Sequence, residues 1–134
     1  MTGQGKCLCG AVTVTAKQVS KNLGACHCGM CRKWTGGPLF AIDCGTEVAF
    51  EGQDYIATYD SSAWAERGFC KKCGTHLFYK LKEKSQYIIS VGLLDNVKSY
   101  NFDHQIFIDE KPEYYSFANQ TKNMTGAEVF AKFI

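Results

Sequence analysis

Proline is nearly missing from this chain: Pro38 and Pro112 are the only two in 134 residues. They are too few to mark an interdomain linker, and no low-complexity tract or internal repeat of useful length supplies one. Long apolar runs are missing too. No stretch approaches the roughly 20 apolar residues of a membrane span, and the opening Met1-Thr2-Gly3-Gln4-Gly5-Lys6 is polar rather than signal-like. The expectation is a soluble, unsecreted, cytoplasmic protein. Nor is there an excess of one charge: 15 Lys and Arg stand against 13 Asp and Glu, a formal net charge of +2, with the basic residues scattered. That gives no support to a nucleic-acid or membrane-surface partner.

With 46% hydrophobic and 13% aromatic residues, the chain can bury one compact core, so a single domain spanning 1–134 is expected. Thr13 and Thr15 alternate with Val12 and Val14 as in a half-buried strand. Similar runs recur at Leu39 to Asp43, Glu47 to Phe50, Tyr55 to Tyr59, His76 to Leu81, Tyr87 to Val91 and Gln105 to Asp109. Helical periodicity is weak except after Gly126, where Val129, Phe130, Phe133 and Ile134 share one face; a second helical turn is expected after Cys31. The fold class is therefore mainly β, largely antiparallel, with the cysteines in the turns and a short C-terminal helix.

The cysteines carry the chemistry. There are eight, and a disulfide framework would call for a secretory context that the sequence does not offer. Close CxC and CxxC spacings in a chain of this kind favour metal. Cys7-Leu8-Cys9-Gly10 and Cys70-Lys71-Lys72-Cys73-Gly74 each place two thiols in a tight turn ended by glycine, which tolerates the positive φ that turns backbone N–H groups toward sulfur. Together they provide the four soft ligands of a closed structural zinc site: Cys7, Cys9, Cys70 and Cys73.

The middle cluster, Cys26-His27-Cys28-Gly29-Met30-Cys31-Arg32, has three thiols in six residues. Cys26, Cys28 and Cys31 can converge on one metal while leaving a fourth position open, which is what separates a catalytic zinc from a structural one. Two residues are candidates to close it. Cys44 is the one unassigned thiol, but it stands alone after a strand, which favours a buried free cysteine. His27 lies between two ligands, where an extended backbone points it away from them. Two Zn²⁺ ions on seven thiolates would move the formal charge from +2 to about −1. The spacings fit none of the standard ferredoxin runs, so zinc is preferred to iron–sulfur clusters.

In order, GKCLCGAV from Gly5, ACHCGMCRKWTGGPLF from Ala25, SSAWAERGFCKKCGTHLFY from Ser61, YIISVGLLD from Tyr87 and HQIFIDEKPEYY from His104 resemble the glutathione-dependent formaldehyde-activating enzyme family, which also contains centromere protein V. The resemblance runs from about Gly5 to Tyr115 and includes Gly36-Gly37-Pro38 and the Glu66-Arg67-Gly68-Phe69 lead-in. It implies a β-tent of antiparallel sheets, two zinc ions per chain divided as the spacings divide them, and a carbon–sulfur lyase-type activity on a thiol/aldehyde adduct. The family reaction joins formaldehyde to glutathione as S-(hydroxymethyl)glutathione, so the implied partners are a small thiol such as glutathione and an aldehyde. The sequence departs from the family pattern at Lys71-Lys72, at Tyr114 and Tyr115 where many members have tryptophan, and at Gln105.

Around the middle cluster, Arg32 and Arg67 are candidate carboxylate clamps, since a guanidinium pairs with a carboxylate in a bidentate way; both also suit structural salt bridges. His104 is a candidate proton shuttle, because imidazole exchanges a proton near neutrality; it reads equally as a strand-end residue bonded to backbone. Glu66 would hold Arg67 or a zinc-site amide in place. The expected catalytic set is Cys26, Cys28, Cys31, His104 and Arg32. Phe40, Trp34, Tyr59, Trp64 and Phe78 serve either a pocket or the core. Two competing functions remain: a non-enzymatic zinc-stabilised binding domain, and a redox or metal-handling role for exposed thiols in the middle cluster.

Overall fold

The structure is a computed structural model that describes residues 1–133; Ile134, expected on the C-terminal helix, lies outside them. In chain order the strands and helices are β1 (Gly3–Lys6), β2 (Thr13–Ala16), β3 (Asn22–Cys26), α1 (Gly29–Thr35), β4 (Leu39–Asp43), β5 (Val48–Glu51), β6 (Ile56–Asp60), β7 (Ala65–Cys70), β8 (His76–Leu81), β9 (Gln86–Ser90), β10 (Asn101–Ile106), β11 (Lys122–Met124) and α2 (Gly126–Phe133). The protein is mainly β, with the cysteine clusters at strand ends and turns and a short helix near the C-terminus, as expected. The backbone divides into two compact units, one of residues 1–21 and 42–100, the other of residues 22–41 and 101–134.

The first unit contains a three-stranded antiparallel sheet in the order β1-β2-β5 and an antiparallel run β9-β8-β7-β6. Val12, Val14, Leu77 and Ile89 are fully buried in it, and Phe50, Phe78 and Tyr87 meet ring to ring with centroids 5.2 to 5.5 Å apart. Phe78 lies across β7 at Gly68, where an added Cβ would sit 2.3 Å from the ring. Strand β7 therefore needs a glycine at the point where the ring crosses it.

The second unit orders its strands β11-β10-β3-β4. Here β10 runs parallel to both β3 and β11, a pairing that connections from distant parts of the chain permit and a hairpin does not. The expected strand from Gln105 to Asp109 is displaced: β10 ends at Ile106, because Phe107 adopts a left-handed conformation (φ 53°, ψ 44°) and a 3₁₀ turn follows at Ile108–Glu110. Phe40, Phe102 and Phe117 form the aromatic core of this unit, with centroids 5.3 to 5.6 Å apart. Helix α1 begins at Gly29, earlier than a turn after Cys31, because Cys28 caps it: its Sγ accepts from the Cys31 N–H at 3.3 Å. Helix α2 starts from a reciprocal cap between Thr125 and Glu128, in which the Thr125 N–H donates to Glu128 Oε1 at 2.9 Å and the Glu128 N–H donates to Thr125 Oγ1 at 3.2 Å.

Candidate metal centres and the buried His27

In the first unit, Cys7 and Cys9 follow β1, Cys70 ends β7 and Cys73 lies in the next turn. Their four sulfurs lie within 4.8 Å of one another. Cys7 Sγ is 3.6 Å from Cys9 Sγ, which is 3.8 Å from Cys70 Sγ. A tetrahedral zinc with bonds of about 2.3 Å needs sulfurs roughly 3.8 Å apart, so the cluster has the spacing of a metal site. Both turns use their glycines as expected, with φ of 80° at Gly10 and 76° at Gly74. Their N–H groups donate to the Cys7 and Cys70 carbonyls at 3.0 and 2.8 Å.

Charge is unevenly shared among these thiols. The Thr75 hydroxyl and N–H hold Cys73 down to about 5. The Cys7 thiol is also lowered: burial opposes its ionisation, but the Val12 N–H, 3.3 Å away, and the neighbouring thiols outweigh that. Cys9 is pushed up to about 11: the Ala11 amide favours its thiolate, but burial and the other three cysteines prevail. A first thiolate forms readily there, whereas a full set of four needs a cation.

The second cluster belongs to the other unit. Cys26 ends β3, Cys28 caps α1 and Cys31 is buried in its first turn, and their sulfurs also lie within 4.8 Å of one another. Hydrogen bonding of the Cys26 S–H to the Cys28 and Cys31 sulfurs, together with burial, raises the Cys26 thiol far above its ordinary value. Among the described residues no fourth Cys, His, Asp or Glu joins this group. Cys44 is fully buried, makes a contact at 3.6 Å with the Ile42 carbonyl, and is pushed up to about 12 by burial. All eight cysteines are free thiols. The donor sets, four and three soft sulfurs, fit a thiophilic ion such as zinc.

His27 is turned away from the cluster and fully buried. Its Nε2 is 2.7 Å from Gln105 Oε1 and its Nδ1 is 2.8 Å from the Tyr115 hydroxyl. The Gln105 amide nitrogen donates to Thr121 Oγ1 at 2.9 Å, which leaves its oxygen as acceptor toward His27. The consistent assignment is a neutral imidazole with the proton on Nε2 and Tyr115 donating to Nδ1. Burial lowers the His27 pKa, and Lys111 and Arg32 add to this against the opposing Gln105 bond. Lys111 fixes the Tyr115 segment by donating to the Tyr115 and Pro112 carbonyls at 2.6 and 3.0 Å. Gln105 and Tyr115, two of the departures noted in the sequence, are thus the two residues that hold His27. No sequence spacing links them to the CxC motif; parallel pairing of β10 with β3 brings Gln105 beside it, and Tyr115 reaches His27 from the segment after β10.

The other expected site residues are distributed as follows. Arg32 Nε donates to the His27 carbonyl at 3.0 Å, so its guanidinium braces the backbone between Cys26 and Cys28. His104 Nδ1 bonds Asp103 Oδ1 at 2.6 Å; its ring lies over Gly24, where an added Cβ would be 2.1 Å from Nε2. Arg67 is buried in β7 with its guanidinium 5.0 Å from the Tyr79 ring centroid. Glu66 precedes it, opposite Lys80. Phe40 and Phe78 are core residues, Trp64 donates to the Tyr79 hydroxyl at 3.2 Å, and Tyr59 is exposed.

Fold and clusters together define a cysteine-rich β protein with two groups of cysteine sulfurs that could hold a metal ion. The glutathione-dependent formaldehyde-activating enzyme family matches residues 2–110, and the chain belongs to that family. It is 36% identical over 132 residues to an "uncharacterized lyase" of Schizosaccharomyces pombe, covering 98% of this chain and 96% of the relative. It is also 34% identical over 90 residues to a "putative glutathione-dependent formaldehyde-activating enzyme" of Podospora anserina, covering 61% of this chain and 41% of that one. A crystal structure of a Rhodobacter sphaeroides protein shares the fold, with a TM-score of 0.60 at 21% identity over 69% of this chain and 87% of the other. No helix among the described residues is long and apolar enough to cross a membrane.

Proposed function

We propose that the protein is a zinc-dependent carbon–sulfur lyase-type enzyme that makes or breaks the adduct of a thiol with an aldehyde, similar to S-(hydroxymethyl)glutathione synthase. The observation that carries this reading is the convergence of three cysteine sulfurs, and only three donor side chains among the described residues, at the Cys26–Cys31 cluster. Membership of a family described as glutathione-dependent and formaldehyde-activating supports glutathione and formaldehyde as the substrate pair. In this reading Cys7, Cys9, Cys70 and Cys73 hold a structural zinc, and Cys26, Cys28 and Cys31 hold a second. The two zincs and both units then serve one functional domain spanning 1–134.

Zinc in a three-thiolate site supplies stabilisation of a substrate thiolate at neutral pH, where a free thiol of pKa about 8.5 is mostly protonated. In the condensation the thiol sulfur bonds to the aldehyde carbon, and the thiol proton ends on the former carbonyl oxygen; the reverse reaction breaks the same two bonds. The chain's own residues set the geometry. Arg32 and the His27 network fix the Cys26–Cys28 backbone, and Cys31 keeps Cys28 Sγ oriented through its N–H. His104, bonded to Asp103, is assigned the moving proton. Eight free thiols support a reducing compartment, and we place the protein in the cytoplasm.

The test is exchange between free and hydroxymethylated glutathione, followed by NMR line broadening. Wild type should accelerate exchange, and Cys28→Ser should return it to the uncatalysed rate. Exchange that wild type leaves at the uncatalysed rate rejects the reading.

A further inference from the structure

Solvent reaches the cysteines unevenly. Of the eight, Cys9 is exposed, Cys26, Cys28 and Cys73 are half-buried, and Cys7, Cys31, Cys44 and Cys70 are buried. The exposed thiol thus belongs to the four-cysteine cluster, whose spacing suggests a closed site, rather than to the three-cysteine cluster, where the sequence would place exposed redox thiols. Cys9 sits in the turn after β1, next to Leu8, which is 89% exposed. On its other side an added Cβ at Gly10 would meet nothing within 4 Å among the described residues. A small reagent can reach Cys9 from either side.

An accessible thiol beside a second one that can resolve it is the arrangement of a redox-sensing pair. Cys9 Sγ lies 3.8 Å from Cys70 Sγ, and Cys70 is 0% exposed. Cys7 Sγ is as near, at 3.6 Å, but it accepts the Val12 N–H at 3.3 Å, and a bridge between residues two apart closes a small, strained ring. Cys73 Sγ is bonded to Thr75 Oγ1 at 3.1 Å. Cys70 is therefore the partner that Cys9 can pair with at least cost. Thr75 Oγ1 also accepts the Leu8 N–H at 3.1 Å, which ties the turn carrying Cys9 to the turn after Cys70 by a bond that needs no metal.

We propose that Cys9 is an oxidative modification site: hydrogen peroxide oxidises it, Cys70 resolves it, and the Cys9–Cys70 disulfide replaces the metal as the link between the two turns. The Cys9 thiolate attacks one peroxide oxygen; the O–O bond breaks, leaving a sulfenic acid on Cys9 and releasing hydroxide. The Cys70 thiolate then attacks the Cys9 sulfur; the S–O bond breaks and a second hydroxide leaves as the disulfide forms. The two sulfurs give up two electrons, and the peroxide takes them up. A metal-bound sulfur is already a thiolate, so the reaction belongs to the loaded protein. Only Cys7 and Cys73 then remain as ligands, too few for a tetrahedral ion. The bridge joins residues 61 apart, and closing so long a loop stabilises the fold after the metal leaves. This inference concerns the four-cysteine cluster and does not depend on the thiol–aldehyde reading.

The experiment treats the zinc-loaded full chain with an equimolar amount of hydrogen peroxide. Differential alkylation and mass spectrometry map the eight thiols, a chromophoric chelator reads released zinc, and circular dichroism follows the fold. The expected result is a Cys9–Cys70 cross-link that forms first, together with loss of one zinc per chain. Cys26, Cys28 and Cys31 should stay alkylatable and the strand signal should be retained; dithiothreitol with added zinc should restore the starting state. Cys9→Ser should abolish the cross-link and leave Cys70 reduced, whereas Cys44→Ala should behave as wild type. If Cys9→Ser does not fold, the wild-type map decides by itself. Oxidation that begins at Cys26, Cys28 or Cys31, or a bridge from Cys9 to Cys7 or Cys73, overturns the proposal. So does a Cys9–Cys70 bridge that leaves the zinc in place or unfolds the protein, or a full set of alkylatable thiols after treatment.

Discussion

His27 Nε2 lies 2.7 Å from Gln105 Oε1, and this bond ties the residue between two cluster cysteines to the neighbouring strand β10. Both partners are buried, His27 at 0% and Gln105 at 5% exposure. A leucine at 105 fills the space but leaves the imidazole N–H without its acceptor. Gln105→Leu should therefore destabilise the fold by about 1–3 kcal/mol, the cost of a buried donor left unsatisfied. Urea denaturation measures this directly. Unchanged stability would mean that the bond does not anchor the Cys26–Cys28 segment.

The Tyr115 hydroxyl provides the second hold on His27, at 2.8 Å. Tyr115→Phe keeps the ring and removes only the donor, so a smaller loss of about 0.5–1.5 kcal/mol is expected. In a double variant with Gln105→Leu the losses should be non-additive, because both bonds end on one imidazole. Strict additivity would contradict a shared role.

Gly68 faces the buried Phe78 ring, with 2.3 Å available to an added Cβ. Gly68→Ala should destabilise by roughly 1–3 kcal/mol through overpacking, and Gly68→Ala combined with Phe78→Leu should cost less than the separate losses together. Thermal melts of the three variants decide this; an Ala variant as stable as wild type would show that the ring is free to move.

Glu128 has its carboxyl pKa lowered by its bonds to the Thr125 N–H and hydroxyl. A lowered folded-state pKa gives stability that is present above the unfolded carboxyl value, about 4.3, and is lost as pH falls through the folded value. Helical signal from α2 should fall with acidification from near pH 5 downward, and Glu128→Gln should flatten that dependence. Thr125→Ala removes the hydroxyl cap at neutral pH and should cost about 0.5–2 kcal/mol of helix stability. A helix signal unaltered by either change would contradict the cap.

Much of this arrangement is legible in the sequence where a local rule decides it. Strands at Leu39–Asp43 and His76–Leu81 follow from alternation and β-branched or aromatic content, and the turns at Gly10 and Gly74 follow from the CxC and CxxC motifs. What escapes is decided by partners distant in sequence. Strand β1, GQGK, has no apolar side chain; Gly5 is buried because a Cβ there would lie 1.8 Å from the Leu93 carbonyl. Strand β7, AERGFC, buries Arg67 and Gly68 against expectation for a strand core. Strand β3, NLGAC, carries a glycine that the His104 ring requires. In the candidate site the cysteines are visible at once from spacing, whereas Gln105 and Tyr115 look like ordinary polar residues until the fold brings them to His27.

The most direct measurement is zinc per chain in wild type, Cys28→Ser and Cys44→Ala, with thermal stability recorded on the same samples. The account predicts two zincs in wild type, one in Cys28→Ser with the fold retained, and two in Cys44→Ala. One zinc in wild type, or a Cys28→Ser protein that loses its metal and unfolds, would contradict a three-cysteine zinc site separable from the scaffold.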